Sequence, residues 1–470
     1  MLDLLLTHAY FLAGDPHEAQ IMRPFPPLGL QYLVAYLRQN EFPATDWWDA
    51  TFHPPRRQGG EGGPDAFADV LADANPRVLG FYGHTITRPV TRGMVALAVA
   101  QGRRVVAGGP DPSQYLDAYF DMGVEVIVIG EGEHTLAELM THLRANDWAW
   151  DWDTLADVAG IAFRAPDASG SGSVVRTKGR PLIKKLDTLP WPHRERRDLD
   201  AYFGAWRARH GETAMSLTTS RGCPYHCTWC SKQVYGDTFR RREPDAVIDE
   251  LLHVKERFAP DQVWFVDDMF TINRAWVHRF CDRVVARGAV TPFYLIGRPE
   301  TLDESMVAAL RRAGCYRMYL SAESGAQHVL DAMRKETSLA QIERGGDLLR
   351  GAGIEIGVFA MLGYPGEEKP DILATRDLLR RLDPAVTLLS VAHPMKGTQF
   401  YDQVQDRITG ESGGRLTFEM RYSPRLYEVA QRMIWADIGL RKAIQSGSPR
   451  EILRNAMRWP VYRAAFAALE

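Results

Sequence analysis

Cysteine is scarce in this sequence: five in 470 residues, all between Cys223 and Cys315. A disulfide framework spreads many cysteines over a small secreted fold, so that class is excluded and a reducing, cytoplasmic setting is expected. No apolar run approaches the roughly 18 uninterrupted residues that a membrane span requires. The apolar start, Leu2 to Leu12, carries Asp3 and His8 and no basic flank, so it reads as a first buried strand rather than a signal peptide. Neither sign of charge is in excess. A net charge of −3 gives no general reason to expect nucleic acid or an anionic membrane as partner, and the short Arg240–Arg242 run reads as a solvated face. No internal repeat of solenoid period occurs.

What is present is β/α alternation. Apolar runs at Leu2–His8, Arg77–Tyr82, Arg103–Ala107 and Val124–Ile129 have the Val/Ile character of parallel strands buried on both faces. Helical patterns such as Leu28–Arg38, Val90–Gln101 and His134–Leu143 separate them, which predicts a doubly wound, Rossmann-like α/β sheet. Asp167–Gly179 reads as a loop or hairpin tip, and Leu186–His193 (LDTLPWPH) as a Pro-rich connector. A second series of about six β/α units starts near Ala214 and predicts a partial or full TIM-like barrel. The expected domains are 1–185 (doubly wound sheet), 186–213 (linker), 214–408 (barrel) and 409–470 (helical appendage).

The chemistry concentrates in one loop, Arg221–Ser231 (RGCPYHCTWCS). Cys223, Cys227 and Cys230, in C-x3-C-x2-C spacing, suit three irons of a [4Fe–4S] cube. Without a fourth thiolate, one iron stays open to an outside ligand. The competing reading is a structural zinc site, with His226 inside the loop, but zinc requires four closing ligands. Cys281 and Cys315 read as buried small hydrophobes.

The C-x3-C-x2-C loop resembles the hallmark of the radical S-adenosylmethionine (SAM) superfamily, and the similarity extends over about 200 residues. Val266–Phe270 (VDDMF), Gly297–Glu300 (GRPE), Ala322–Gly325 (AESG) and Gly363–Glu367 (GYPGE) follow successive strands and resemble the family's SAM-binding segments. The resemblance implies that SAM chelates the open iron and is cleaved reductively to a radical that takes hydrogen from a small-molecule substrate. An electron donor such as flavodoxin or ferredoxin is implied as partner. It further implies SAM contacts from Asp267, Asp268, Arg298, Glu323 and Ser324, with Met361, Gly363 and Trp229 near the adenine. Each also has a plainer reading as a cap, turn or core residue.

The first domain resembles the cobalamin-binding domain that precedes such barrels in a class of methylases and cyclases. The resemblance rests on Pro26–Leu33 (PPLGLQYL), Gly80–Thr85 (GFYGHT), Ala107–Asp111 (AGGPD) and Gly130–Glu133 (GEGE). It implies cobalamin contacts from Leu28, Thr85, Gly108, Gly109, Gly130 and Glu131. The D-x-H-x-x-G motif that supplies a histidine to cobalt is absent, and Asp111 stands where the family often has histidine. The expected reaction is cobalamin-dependent methylation of an unactivated carbon, or ring cyclisation. A cobalamin-independent radical SAM enzyme and a non-catalytic Fe–S protein are the other readings. Tyr422, Tyr427 and Trp435 are candidates for lining a substrate pocket, with core packing as their plainer role.

Overall fold

The computed structural model describes residues 1–53, 65–165 and 172–469. The first domain is built on a seven-stranded sheet: β1 (Leu4–His8), β2 (Thr45–Trp48), β3 (Val78–Tyr82), β4 (Arg104–Gly108), β5 (Val126–Val128), β6 (Ile161–Arg164) and β7 (Val174–Arg176). Their order is β2-β1-β3-β4-β5-β6-β7, with the first five parallel and the last two antiparallel. All five residues of β1 (LLLTH) are buried, as a central parallel strand requires. The order reverses between β1 and β3, which opens a crevice at the strand C-termini. Of the expected hairpin tip, residues 167–171 lie outside the described residues.

The second domain contains β8 (Ala214–Leu217), the short pair β9 (Ser220–Arg221) and β10 (Arg240–Arg241), then β11 (Gln262–Phe265), β12 (Phe293–Gly297), β13 (Cys315–Glu323), β14 (Glu355–Leu362) and β15 (Val386–Val391). Six of these form one all-parallel sheet in the order β8-β11-β12-β13-β14-β15, a curled half-barrel. The helices between strands are well delimited. Asp303 caps Glu304–Ala313 by accepting from the Met306 amide, and Gly314, at φ 109°, ends that helix. Ser338 and Gln341 make a reciprocal capping box before Leu339–Gly351.

The segment read as a linker contains a 15-residue helix, Arg196–His210, with Leu199, Tyr202, Phe203 and Trp206 buried. It fastens the domains together. The Tyr202 hydroxyl donates to Asp49 (2.5 Å), Trp206 Nε1 donates to the Pro24 carbonyl (2.8 Å), and Phe25 packs against both Trp206 and Trp264 of β11. After the barrel comes a hairpin, β16 (Ile408–Ser412) and β17 (Arg415–Phe418), before the two helices Pro424–Ser446 and Pro449–Ala468. The expected appendage is therefore helical only after residue 423. No helix among the described residues is long and apolar enough to cross a membrane.

Candidate active site at the junction of the two sheets

A cavity of about 410 Å³ lies between the C-terminal edge of the first sheet and the mouth of the half-barrel. Leu6, Val106, Val128 and Leu136 form its apolar side, and Thr218, Arg221, Val266 and Asp268 contribute from the barrel. Three glycines open onto it. A Cβ on Gly29 would meet nothing within 4 Å, one on Gly108 only Val128 at 3.6 Å, and one on Gly130 only the Val234 carbonyl at 3.8 Å. Bare backbone therefore faces open space, a cradle suited to a large flat ligand held by close approach. Leu28, Gly108, Gly109, Gly130 and Glu131 all line this cavity. Thr85 does not; its carbonyl abuts Gly414 in the β16–β17 hairpin. No histidine is among the lining residues, in keeping with the missing D-x-H-x-x-G motif. Asp111 instead binds Arg88 through two hydrogen bonds (2.6 and 2.8 Å) and accepts from Tyr119 (2.8 Å).

The three clustered cysteines stand half-buried in the loop after β9, whereas Cys281 and Cys315 are fully enclosed in the barrel core. Burial pushes the Cys230 thiol up to about 12, with the Asp268 charge adding to it, and burial also raises Cys223. Metal binding would have to displace those protons. Among the described residues no three His, Cys, Asp or Glu side chains gather tightly enough to hold a single metal ion. Thiolates of a [4Fe–4S] cube each bind a different iron and stand further apart than ligands of one ion.

The two aspartates after β11 have separate tasks. Asp267 accepts from the amides of Thr219 (2.6 Å) and Ser220 (3.1 Å), from the Thr218 and Thr219 hydroxyls, and from Arg241 (3.0 Å). Its oxygens are taken up in anchoring the chain that leads into the cysteine loop, which gives it a structural role in place of the expected SAM contact. Asp268 faces the cavity, and burial followed by the Asp267 charge raises its pKa.

Arg298 is also engaged internally. It pairs with Glu300, donates to the carbonyls of Lys335 and Glu336, and lies 3.6 Å from the ring centre of Tyr225 in the cysteine loop. Glu323 sits at a register shift in β13 with φ 59°, a left-handed conformation costing on the order of 1–2 kcal/mol. That turn aims its buried carboxylate at Lys335 (3.2 Å), whose ammonium is 5.7 Å from the Trp229 ring. Ser324 accepts from the Ala326 amide (3.2 Å) and stands 3.4 Å from the Thr375 hydroxyl, a local turn. Met361 and Trp229 pack against one apolar cluster with Tyr364 and Phe400. Gly363 is required by its φ of 80° and by Met420, whose Cε lies 2.2 Å from where a Cβ would be.

Behind Gly363, burial raises Glu367 to about 8. One of its carboxyl oxygens is buried with no partner among the described residues. A carboxyl whose folded pKa exceeds its unfolded value keeps its proton when folded, so stability falls as pH rises from the ordinary 4.5 towards 8. We expect the thermal midpoint to fall between about pH 5.5 and pH 8.5 more steeply in the native protein than in Glu367→Gln. Equal slopes by differential scanning fluorimetry would show that Glu367 is ionised in the fold.

The Arg240–Arg242 run is not a solvated face. Arg240 pairs with Glu131 (2.7 Å), Arg241 with Asp267 (3.0 Å) and Arg242 with Glu250 and Asp187. Arg242 is buried and Arg240 and Arg241 are half-buried, each with its charge met by a carboxylate from another element. Tyr427 is core, Tyr422 packs against that core, and Trp435 is 43% exposed on the outer helix. Ser220, Val234 and Tyr235 escaped sequence reasoning, and Tyr32 and Arg221 lay inside quoted motifs without being assigned to the site. Ser220 is notable, since its hydroxyl is buried at the cavity wall with no partner among the described residues. Only proximity to the cysteine loop could have singled out Ser220, Val234 and Tyr235.

Comparison with known proteins agrees with this layout. Residues 19–140 match the B12 binding domain model, and residues 217–379 match the radical SAM superfamily model. The chain is 25% identical over 404 residues to an uncharacterized methyltransferase of Pyrococcus horikoshii, covering 83% of this chain and 82% of that one. It is 27% identical to the anaerobic magnesium-protoporphyrin IX monomethyl ester cyclase of Cereibacter sphaeroides, covering 86% of this chain and 64% of the cyclase. In fold it is similar to the radical SAM methyltransferase TsrM from Kitasatospora setae, solved with cobalamin and a [4Fe–4S] cluster bound. That likeness has a TM-score of 0.69 and 20% identity, over 87% of this chain and 76% of TsrM.

Proposed function

This chain carries a B12 binding domain followed by a radical SAM domain, and from that premise we propose that it methylates an unactivated carbon, or closes a ring, on a small molecule. Its cofactors are a [4Fe–4S] cluster, SAM and cobalamin, and the cluster's electron comes from a donor of the flavodoxin or ferredoxin kind. The observation that carries the reading is a cavity walled by both domains, with the glycine cradle on one side and Asp268 and Arg221 on the other. When bound, the cluster and SAM supply a hydrogen-abstracting radical and cobalamin supplies a transferable methyl group.

The chain's own residues bind, orient and exclude water. Cys223, Cys227 and Cys230 hold the cluster and leave one iron open. Asp268 and Glu323 are the carboxylates best placed for the polar parts of SAM, because Asp267 and Ser324 serve the surrounding loops. Lys335 neutralises Glu323 and so keeps a buried charge tolerable. Trp229 and Met361 form an apolar wall that shields the reacting centre from water.

The deciding experiment is anaerobic reconstitution with iron, sulfide and hydroxocobalamin, followed by desalting and cobalamin quantitation. We expect retention near one cobalamin per chain, together with reductive cleavage of SAM. Cleavage of SAM without cobalamin retention would install a cobalamin-independent radical enzyme in its place. Failure of both would leave a non-catalytic Fe–S protein.

A further inference from the structure

The wall between the two cofactor regions contains a buried four-residue ion network that no sequence motif announces. Arg221, two residues before Cys223, donates to Glu131 (2.7 Å) and to Glu133 (2.5 Å). Arg240, its cross-strand partner in the β9–β10 pair, donates to the other oxygen of Glu131 (2.7 Å). That same oxygen accepts from the Ile183 amide (2.7 Å). The four side chains are between 4% and 10% exposed. The Arg221 guanidinium also lies 5.4 Å from the Tyr32 ring centre and 5.5 Å from that of Tyr235, both cavity residues. Two arginines balance two glutamates, so the network requires no external anion.

The placement shows what the network joins. Glu131 and Glu133 open the helix Gly132–Ala145, in the loop after β5 of the first domain. Arg221 ends β9 and is followed by Gly222, at φ 82°, where a Cβ would lie 2.1 Å from the Thr238 carbonyl. The chain then enters the cysteine loop with little freedom. Resting on the proposed function, we infer that Arg221 is a positioning residue: its bidentate grip on Glu131 and Glu133 fixes the cluster loop against the cobalamin domain and sets the separation of the two cofactors. A planar guanidinium reaches two carboxylates at once with fixed geometry, which an ammonium cannot do. Transfer between two bound groups is sensitive to displacements of about 1 Å, so a rigid tie at this seam has a clear use.

The test uses the full-length protein with Arg221→Lys and, as a milder second variant, Glu133→Gln. The loaded protein, reconstituted with hydroxocobalamin and reduced, is examined by pulsed electron paramagnetic resonance for the cluster-to-cobalt distance distribution. Hydrogen exchange of residues 222–236 is measured on the cofactor-free protein. We expect a narrow distribution in the native protein and a broadened one in both variants. We also expect exchange of that loop to rise about tenfold while β13 and β14 remain unchanged. Unchanged distributions and unchanged exchange in both variants would overturn the inference. If Arg221→Lys sheds a cofactor, the exchange comparison still decides. If the native protein binds no cobalamin, the proposed function fails on that count alone, and loop exchange continues to report on the tie.

Discussion

Replacing Cys227 by alanine is expected to abolish the visible absorbance of the reconstituted cluster and to lower SAM cleavage to background, at least about a thousandfold. The loop offers three thiolates for three irons, and the other two cysteines of the chain lie elsewhere. Cys315 is fully buried at the start of β13, where its thiol donates to the Arg317 carbonyl (3.5 Å), and Cys281 is 1% exposed inside the helix Arg274–Ala286. Both are core residues that cannot reach the loop without unfolding the barrel. Cys315→Ala is accordingly expected to leave cluster and cleavage intact and to cost about 1–2 kcal/mol of stability for the small void. The paired measurement is absorbance and iron content after anaerobic reconstitution, with 5′-deoxyadenosine quantified under dithionite. A Cys227→Ala protein that still cleaved SAM would sink the cluster assignment.

How much of this site could be seen in the sequence depended on how local each relation was. The cysteine spacing lies within eight residues and the glycine-rich turns within four or five, so both were legible without a fold. The half-barrel was legible too, because each strand is a compact apolar run followed by a helical pattern. What escaped was long-range. Arg240–Arg242 looked like surface because the carboxylates that meet it lie 8 to 109 residues away in sequence: Glu131, Asp267, Glu250 and Asp187. The pairing of Glu131 with Arg221 was hidden because the two are 90 residues apart. Asp267 and Asp268 are neighbours with the same chemistry. Only the side-chain alternation at the end of β11 sends one into the loop anchor and the other to the cavity. Short or polar edge strands such as β2, β7 and β16 carry too weak a period to be read.

Gly108→Phe is expected to eliminate cobalamin retention while leaving the fold and the cluster in place. Gly108 ends β4 and lines the cavity, and its backbone is not in the left-handed region. A Cβ there would make only an ordinary contact, 3.6 Å from Val128, so the main chain tolerates a side chain. The ring must then extend into the cavity, where it takes the space a corrin or its tail would need. The adjacent Gly109 would give a poorer test. Its φ is 106° and a Cβ would lie 2.8 Å from the Gly83 carbonyl, so substitution would disturb the loop itself. Gly108→Ala serves as the control, with retention close to that of the native protein. The phenylalanine variant should keep less than about a tenth of that cobalamin, since filling a preformed pocket removes its contacts without compensation. Its cluster absorbance and reductive SAM cleavage should persist, because Cys223, Cys227 and Cys230 are on a separate chain segment and none of them lines the cavity. Undiminished cobalamin in Gly108→Phe would mean that the cofactor binds elsewhere, and the glycine cradle would then have to be explained by packing alone.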